Sequence, residues 1–488
     1  MTDFFDHYFA NTGLPERAEQ TAWQRTEHAQ HGTDPKRAEF ASPRLGKSLV
    51  ALAAALESGR DRILITAPLV ACPQWARLVR DCGITPIELY GCSTKIGAEV
   101  LNTLHDAAEQ IVVINDDKLA WLYSQIDAWG PQYIIGDESH RFAGVSTKRG
   151  RIYRRLAWSA DGVRILTGTP VPNHYGSLWG QMAGLDRNEW FGSYEAFAQR
   201  YLIRDAMFPS IVLGYQHETE LYDKIRRFAA IVRREDVFGP DTWQEVLRPV
   251  TLPAKAASVY RKLAKEWFID EPITLDVTHT LARMTRLHQL TSGFLPDLES
   301  EDRSVLELHR AKRDAILADL EQIVADGEKA VIFHRFTAEG NALHDDISTA
   351  FKVPVLKIDG STASAARDDV YEVMEKHQGA CVAVIQTQSG GIARSLAEAQ
   401  HVMFASRGFS FVEEEQARDR VYKPGERRIV YDYVAEGTID EYIADILRSK
   451  EAMHQAVRNA DRESVAFGPR IKRPSKRNLT TVKLAEVL

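Results

Sequence analysis

The sequence predicts an α/β protein built from two parallel-sheet units with an α-helical insertion. Two observations carry this. Between residues 60 and 170, short apolar runs rich in β-branched residues alternate with helical patterns, the signature of a parallel, doubly wound sheet. The same alternation resumes near Arg310, after a stretch from about Trp179 to Ser300 where Phe191, Tyr194, Phe197 and Tyr201 fall near helical spacing instead. The 488 residues, 44% of them hydrophobic, suffice for more than one core, since a domain takes roughly 150 residues.

In the first unit, Leu14 to His28 reads as a helix that offers Gln20 and Gln24 as candidate contacts. Phe40 then leads into Ala41-Ser42-Pro43-Arg44-Leu45-Gly46-Lys47-Ser48, followed by the Ala/Leu-rich helix Leu49 to Leu56. A Gly-Lys-Ser triplet opening a helix offers backbone N–H donors, a lysine for β/γ phosphates and a hydroxyl for Mg²⁺. The first glycine of the general phosphate loop is replaced by Ala41. Arg62 to Ala67, Ile111 to Ile114 and Val163 to Leu166 are expected strands, with a helix at Pro73 to Asp81.

The apolar run Tyr133-Ile134-Ile135-Gly136 ends abruptly in Asp137-Glu138. In open α/β sheets, ligands bind beyond the carboxyl ends of the strands. Asp137 is therefore the expected Mg²⁺ anchor, and Glu138 the group that orients and deprotonates a water. Alone, the pair fits an ordinary acidic strand exit equally well; the upstream Gly-Lys-Ser breaks the tie. Thr167 and Thr169, in Thr167-Gly168-Thr169-Pro170 after the next strand, can hydrogen-bond the acid-pair loop and couple it to the rest of the chain. A plain turn is the simpler alternative.

In the second unit, Ile316, Leu317, Leu320, Ile323 and Val324 mark a helix face, and strands are expected at Ala330 to Phe333, Val353 to Ile358 and Cys381 to Ile385. The last strand opens into Gln386-Thr387-Gln388-Ser389-Gly390-Gly391, a loop suited to a close approach to phosphate. Gln416, Arg420 and Lys423 are expected on neighbouring positions of one helix, where cations complete a nucleotide site or simply face solvent. The predicted boundaries are 1–240 for the first unit with an insertion at about 180–305, 306–460 for the second, and a disordered basic tail at 461–488.

The rest of the composition narrows the class. A formal charge of −7 argues against a protein basic all over, so nucleic-acid contact must come from a local cleft or the tail. Four cysteines without a CxxC or HExxH pattern read as reduced structural thiols, not a zinc site. With no membrane span or secretion signal in view, the cytoplasm is the expected compartment.

Taken in order, these motifs resemble the Swi/Snf-type branch of helicase superfamily two, particularly compact phage and bacterial members, over roughly residues 14 to 460. Gln20 is similar to the adenine-sensing glutamine, and Arg44, Leu45, Gly46, Lys47 and Ser48 to motif I. Pro68 through Trp75 resembles motif Ia, Asp137-Glu138-Ser139-His140 motif II, and Leu166 to Pro170 with Asn173 and Trp179 motif III. Ile332 to Phe336 resembles motif IV, Thr387 to Leu396 motif V, and Gln416 to Gly425 motif VI. The chain departs from the branch at Arg44 and Ala393, where glycine is usual, and at Lys423 and Glu426, which replace arginine and glutamine.

The resemblance implies two RecA-like lobes using ATP and Mg²⁺. It assigns Lys47, Asp137, Glu138, Arg420 and Lys423 to catalysis, Ser48 and Asp137 to the metal, and Gln20, Arg44 to Ser48 and Gln416 to ATP. His140, Thr167 and Thr169 couple the site to movement, while Pro68, Arg335, Thr387 and Ser389 touch nucleic acid. The expected function is nucleic-acid-stimulated ATP hydrolysis that drives translocation on double-stranded or branched DNA in a bacterial cell or phage-infected host. The remaining length offers no chromatin-reading appendage, so nucleosome remodelling is not expected. An RNA-directed enzyme and a non-hydrolysing clamp stand as alternatives.

Overall fold

The computed structural model describes residues 4–13, 18–104, 110–205, 207, 212–240, 242–266, 277–296, 305–388 and 395–458. They form two compact units, the first built on Met1–Pro240 and the second on Asp241–Ser449. The expected basic tail lies outside the described residues, as do Ser389 and Ala393. Among the described residues, no helix is long and apolar enough to cross a membrane.

The first unit holds strands β1 (Lys36–Ala41), β2 (Arg62–Ala67), β3 (Ile87–Glu88), β4 (Gln110–Asn115), β5 (Tyr133–Gly136) and β6 (Gly162–Leu166). A small antiparallel ribbon of β7 (Leu202–Arg204) and β8 (Val212–Tyr215) precedes β9 (Ala229–Val232). The main sheet has seven parallel strands in the order β3-β4-β2-β5-β6-β1-β9. Its central strands are apolar on both faces because successive side chains alternate between two cores. Leu64, Val112 and Ile134 enter one core, while Ile63, Ile65, Ile111, Val113 and Ile135 enter the other. This order sets the carboxyl ends of β5, β6 and β1 side by side, so the loops at 41–46, 137–140 and 167–170 share one edge.

One residue breaks the apolar pattern. Arg164, within the strand expected to be apolar, is fully buried, as is Glu39 on β1. Its guanidinium donates to Glu39 Oε1 at 2.6 Å, to the Tyr133 hydroxyl on β5 at 3.2 Å, and to the His31 carbonyl at 2.5 Å. His31 ends the helix Ala18–His31. Burial works against the charge on Arg164, but Glu39 opposite holds its pKa above the ordinary value.

The second unit holds β10 (Trp243–Val250), a ribbon of β11 (Phe294–Pro296) and β12 (Val305–Glu307), β13 (Lys329–His334), β14 (Val355–Ile358), β15 (Cys381–Gln386), β16 (His401–Phe404) and β17 (Arg428–Ala435). Six strands form a parallel sheet in the order β10-β17-β16-β13-β15-β14. The expected helical insertion at 180–305 is therefore not one element of the first unit. β9 extends the first sheet beside β1, while β10 pairs along its length with β17 in the second. The helical aromatic spacing near 191–201 is real, with Phe197 and Tyr201 buried in the first core, but it does not continue. Pro249 fits β10 because that strand lies at the sheet edge, where a missing N–H donor costs nothing.

Removing Arg164 alone leaves Glu39 buried without its counterion. Arg164→Met should cost on the order of 3–5 kcal/mol of stability, whereas Arg164→Met with Glu39→Leu should recover most of it. Urea unfolding of the three proteins measures this, and equal losses for the single and double variants would contradict the pairing.

Candidate functional site

The phosphate loop is shaped by two left-handed residues, Arg44 at φ 66° and Gly46 at φ 78°, which turn the backbone into the helix Lys47–Glu57. Glycine is required at 46 for a second reason. A Cβ there would lie 1.9 Å from Gln24 Nε2 and 2.8 Å from Gln20 Nε2. Gln24 donates to the Leu45 carbonyl at 3.1 Å and to the Gly46 carbonyl at 3.4 Å. Both glutamines thus reach the loop, with the Gln24 amide hydrogen-bonded to its backbone. Leu45 is in the core, Lys47 is buried and Ser48 half-buried, while Arg44 is exposed.

The acid pair sits beside it. Asp137 accepts from Trp75 Nε1 at 2.8 Å and from the Glu138 backbone N–H at 2.9 Å. Burial, with Glu138 adjacent, pushes the Asp137 carboxyl up to about 6, against the pull of Lys47 and Trp75. Glu138 takes a left-handed backbone, φ 48°, an uncommon conformation for a residue with a Cβ. Burial would raise its pKa too, but the hydrogen bond and charge of His140 outweigh this and hold it below the ordinary value.

His140 Nδ1 is the meeting point of the second and third loops. It lies 3.2 Å from Glu138 Oε2, 3.0 Å from Thr167 Oγ1 and 3.4 Å from Thr169 Oγ1. Thr167 Oγ1 also accepts from the Thr169 N–H at 3.0 Å. A Cβ on Gly168 would meet the Pro43 ring at 2.8 Å, so the third loop also packs on the phosphate loop. The structure thus brings together Gln20, Lys47, Asp137, Glu138, His140, Thr167 and Thr169.

Sequence reasoning missed Gln181. Fully buried on the helix Gly176–Asp186, it accepts from Ser139 Oγ at 2.8 Å and donates to the Pro170 carbonyl at 2.8 Å. It ties the acid loop to the threonine loop from behind. A polar residue in a helix, eleven positions after Pro170, is the only signal, and periodicity alone cannot separate it from a solvent-facing glutamine.

Pro68, expected to touch nucleic acid, follows β2. Its ring is buried and its carbonyl accepts from the Ala71 N–H at 2.8 Å, starting the helix Cys72–Asp81 and leaving Leu69 and Val70 exposed. In the second unit, Arg335 follows β13, its N–H donating to Ser406 Oγ at 2.9 Å. Thr387 follows β15 and donates from Oγ1 to the His334 carbonyl at 3.1 Å. These two neighbouring strands of the sheet bring both residues to one edge.

Gln416 and Arg420 lie on the helix Phe411–Val421, Gln416 half-buried and Arg420 buried, where burial lowers the guanidinium pKa. Lys423 is not on that helix, contrary to expectation. The helix stops at Val421 because Pro424 disfavours a helical residue before it. Lys423 instead sits between Glu398 at 3.0 Å and Glu426 at 2.8 Å.

A parallel sheet carrying a phosphate loop, a strand-end acid pair and a linked threonine loop defines an ATP-binding α/β unit. The SNF2-related domain family matches residues 17–287, more than half of the chain, and the helicase conserved C-terminal domain matches residues 313–425. The chain belongs to the SNF2-related family. A Bacillus subtilis relative, YwqA, named as an ATP-dependent helicase/translocase, is 26% identical over 337 residues, covering 66% of this chain and 35% of that protein. Protein p41 of Acyrthosiphon pisum secondary endosymbiont phage 1 is 25% identical over 410 residues, covering 79% of this chain and 84% of p41. Among solved structures, the Sulfolobus solfataricus SWI2/SNF2 ATPase core in complex with dsDNA is 21% identical, with a TM-score of 0.41 over 91% of this chain and 93% of that one. The chain spans about a third of the length of YwqA.

The Gln181 links give an ordering. Gln181→Leu strands the Ser139 hydroxyl and the Pro170 carbonyl in the interior and should cost about 2–4 kcal/mol, whereas Ser139→Ala removes one link and should cost about 1. Thermal melting of both variants tests this; a Gln181→Leu protein as stable as Ser139→Ala would show that the Pro170 link contributes nothing.

Proposed function

We propose that this protein is a nucleic-acid-stimulated ATPase that moves along duplex DNA, following the phosphate backbone without reading bases. The observation that carries this is the convergence of Lys47, the acid pair and the His140–Thr167–Thr169 node at one sheet edge. Such a node makes a nucleotide-dependent change at Glu138 felt by the loop after β6. A passive binding module has no use for it. Membership of the SNF2-related family and the name of YwqA support hydrolysis coupled to translocation, and the bacterial and phage relatives support work in a bacterial or phage-infected cytoplasm.

Lys47 and the N–H groups at the start of the helix Lys47–Glu57 hold the phosphates. The hydroxyl of Ser48 and the carboxylate of Asp137 are hard oxygen donors suited to Mg²⁺, which keeps several waters and phosphate oxygens as its other ligands. The fit is consistent with the donors present. Among the described residues, no group of three or more His, Cys, Asp or Glu forms a self-sufficient metal cage. When bound, Mg²⁺ neutralises phosphate charge. Glu138, kept anionic by His140, orients and deprotonates the attacking water. Gln20 contacts the adenine, as the family resemblance implies, while Gln24 holds the backbone of the phosphate loop. Arg335 and Thr387 offer contacts to the DNA backbone from the second unit.

Arg420 is the proposed cation for charge developing on the γ-phosphate. Lys423 is already engaged by two carboxylates, so it has a secondary role. The Lys423–Glu426 pair makes the two departures in motif VI mutually compensating.

Two expected outcomes follow from these roles. Glu138→Gln should abolish steady-state hydrolysis on duplex DNA while retaining ATP binding, because the carboxylate acts on the water; near-normal turnover would remove Glu138 from the chemistry. Arg420→Ala should reduce DNA-saturated single-turnover hydrolysis by about 10³ or more, and Lys423→Ala by less than about tenfold. The reverse order would return the role to Lys423. Stimulation by RNA but not by duplex DNA in the same assay would favour the RNA-directed alternative.

A further inference from the structure

The helix Lys148–Ser159 packs Ile152, Tyr153, Leu156 and Ala157 into the first unit's core. Its outward stripe is Lys148, Arg151, Arg155 and Ser159, one residue per turn, with Trp158 half-buried alongside. Among the described residues, no ion pair engages Lys148, Arg151 or Arg155, although the neighbouring Arg141 and Arg149 are both tied to Asp116 and Asp117. Like charges four apart, as at Arg151 and Arg155, destabilise a helix by a few tenths of a kcal/mol. Exposed and without an ion pair among the described residues, they are available to a counter-charge from outside the chain.

Aromatic surface lies at both ends of the stripe. Trp121, in the turn after β4, is 73% exposed, and Lys148 Nζ sits 5.4 Å from its ring centroid. At the other end, a surface hollow of about 580 Å³ is lined by Tyr123, Asp127, Arg155, Trp158, Ser159 and Arg187. Arg187 holds a left-handed backbone at φ 51° and donates to the Trp158 carbonyl. Asp127 is the sole acid among these lining residues. The helix runs from the loop that follows the acid pair to the start of β6, so the stripe leads from the sheet edge bearing the site to the opposite edge.

We infer that this stripe binds a segment of single-stranded nucleic acid, separately from the duplex track and the nucleotide site. Cations spaced along one line neutralise successive phosphates. An exposed indole offers a face on which a base stacks, irrespective of sequence. A duplex would present no free base to Trp121, and the hollow suits an unpaired base between Tyr123 and Trp158. For an enzyme on branched DNA, the stripe would hold an unpaired arm.

The test uses the full chain without nucleotide and follows fluorescence anisotropy of a labelled oligothymidylate of about 12 nucleotides and of a duplex of equal length across a salt series. Arg151→Gln with Arg155→Gln should weaken oligothymidylate binding at least about tenfold and flatten its log–log salt slope by about 1.4, two phosphates at roughly 0.7 each. Trp121→Ala should weaken it at least about fivefold with the slope unchanged, since stacking releases no counterions. Duplex affinity should change less than about twofold in both. Arg151→Lys with Arg155→Lys preserves the charge and should bind as wild type, which separates lost contacts from lost folding, and thermal melting of each variant checks the fold. Oligothymidylate binding unchanged in the glutamine pair or in Trp121→Ala would overturn the inference. So would an equal loss for duplex, which would make the stripe part of the duplex track.

Discussion

A single buried cation organises the strands that carry the site. Arg164 contacts Glu39 on β1, Tyr133 on β5 and the end of the helix that bears Gln20 and Gln24. Those elements lead into the phosphate loop, the acid pair and the glutamine pair, and Arg164 itself lies three residues before Thr167 of the threonine loop. A charge fully removed from water is tolerated only where partners satisfy most of its donors. Here the partners sit on different elements, so satisfying Arg164 also sets the relative positions of the loops at the sheet edge. The network is structural, and its effect on chemistry is to hold those loops in register.

At the edge itself, the organising group changes from a cation to an imidazole. His140 Nδ1 touches one acid and two hydroxyls on separate loops, and Gln181 joins the same two loops from the interior. The two acids are driven apart electrically. Burial and a like-charged neighbour raise Asp137, whereas His140 lowers Glu138. The environments of the two carboxyls thus push their pKa values in opposite directions, a pattern expected of neighbouring acids that take different roles.

The second unit repeats the parallel-sheet plan but handles its charges differently. Arg420 is buried, and Lys423 is displaced from the helix by Pro424 into a carboxylate pair. Glu426 is one of the two departures in that motif, and the structure shows it contacting the other.

The sequence by itself determined whatever depends on near neighbours in the chain: the alternation of strands and helices, the Gly-Lys-Ser turn, the acid pair at a strand end, and the His140 and threonine strings. These are short-range patterns whose physical meaning survives without knowing the partners. Gln24 at the phosphate loop, Gln181 behind the acid loop and the membership of β10 in the second sheet required the tertiary structure, because each depends on a partner far away in sequence. Trp243–Val250 pairs with Arg428–Ala435, a separation no local periodicity encodes. Arg164 was hidden for the same reason: within an apolar run a lone arginine has no local explanation, and the carboxylate that neutralises it lies 125 residues away. The stripe of Lys148, Arg151 and Arg155 is a helical pattern any reader of the chain can draw. Only the fold shows that, among the described residues, no ion pair engages these three cations and that Trp121 stands at one end of the stripe.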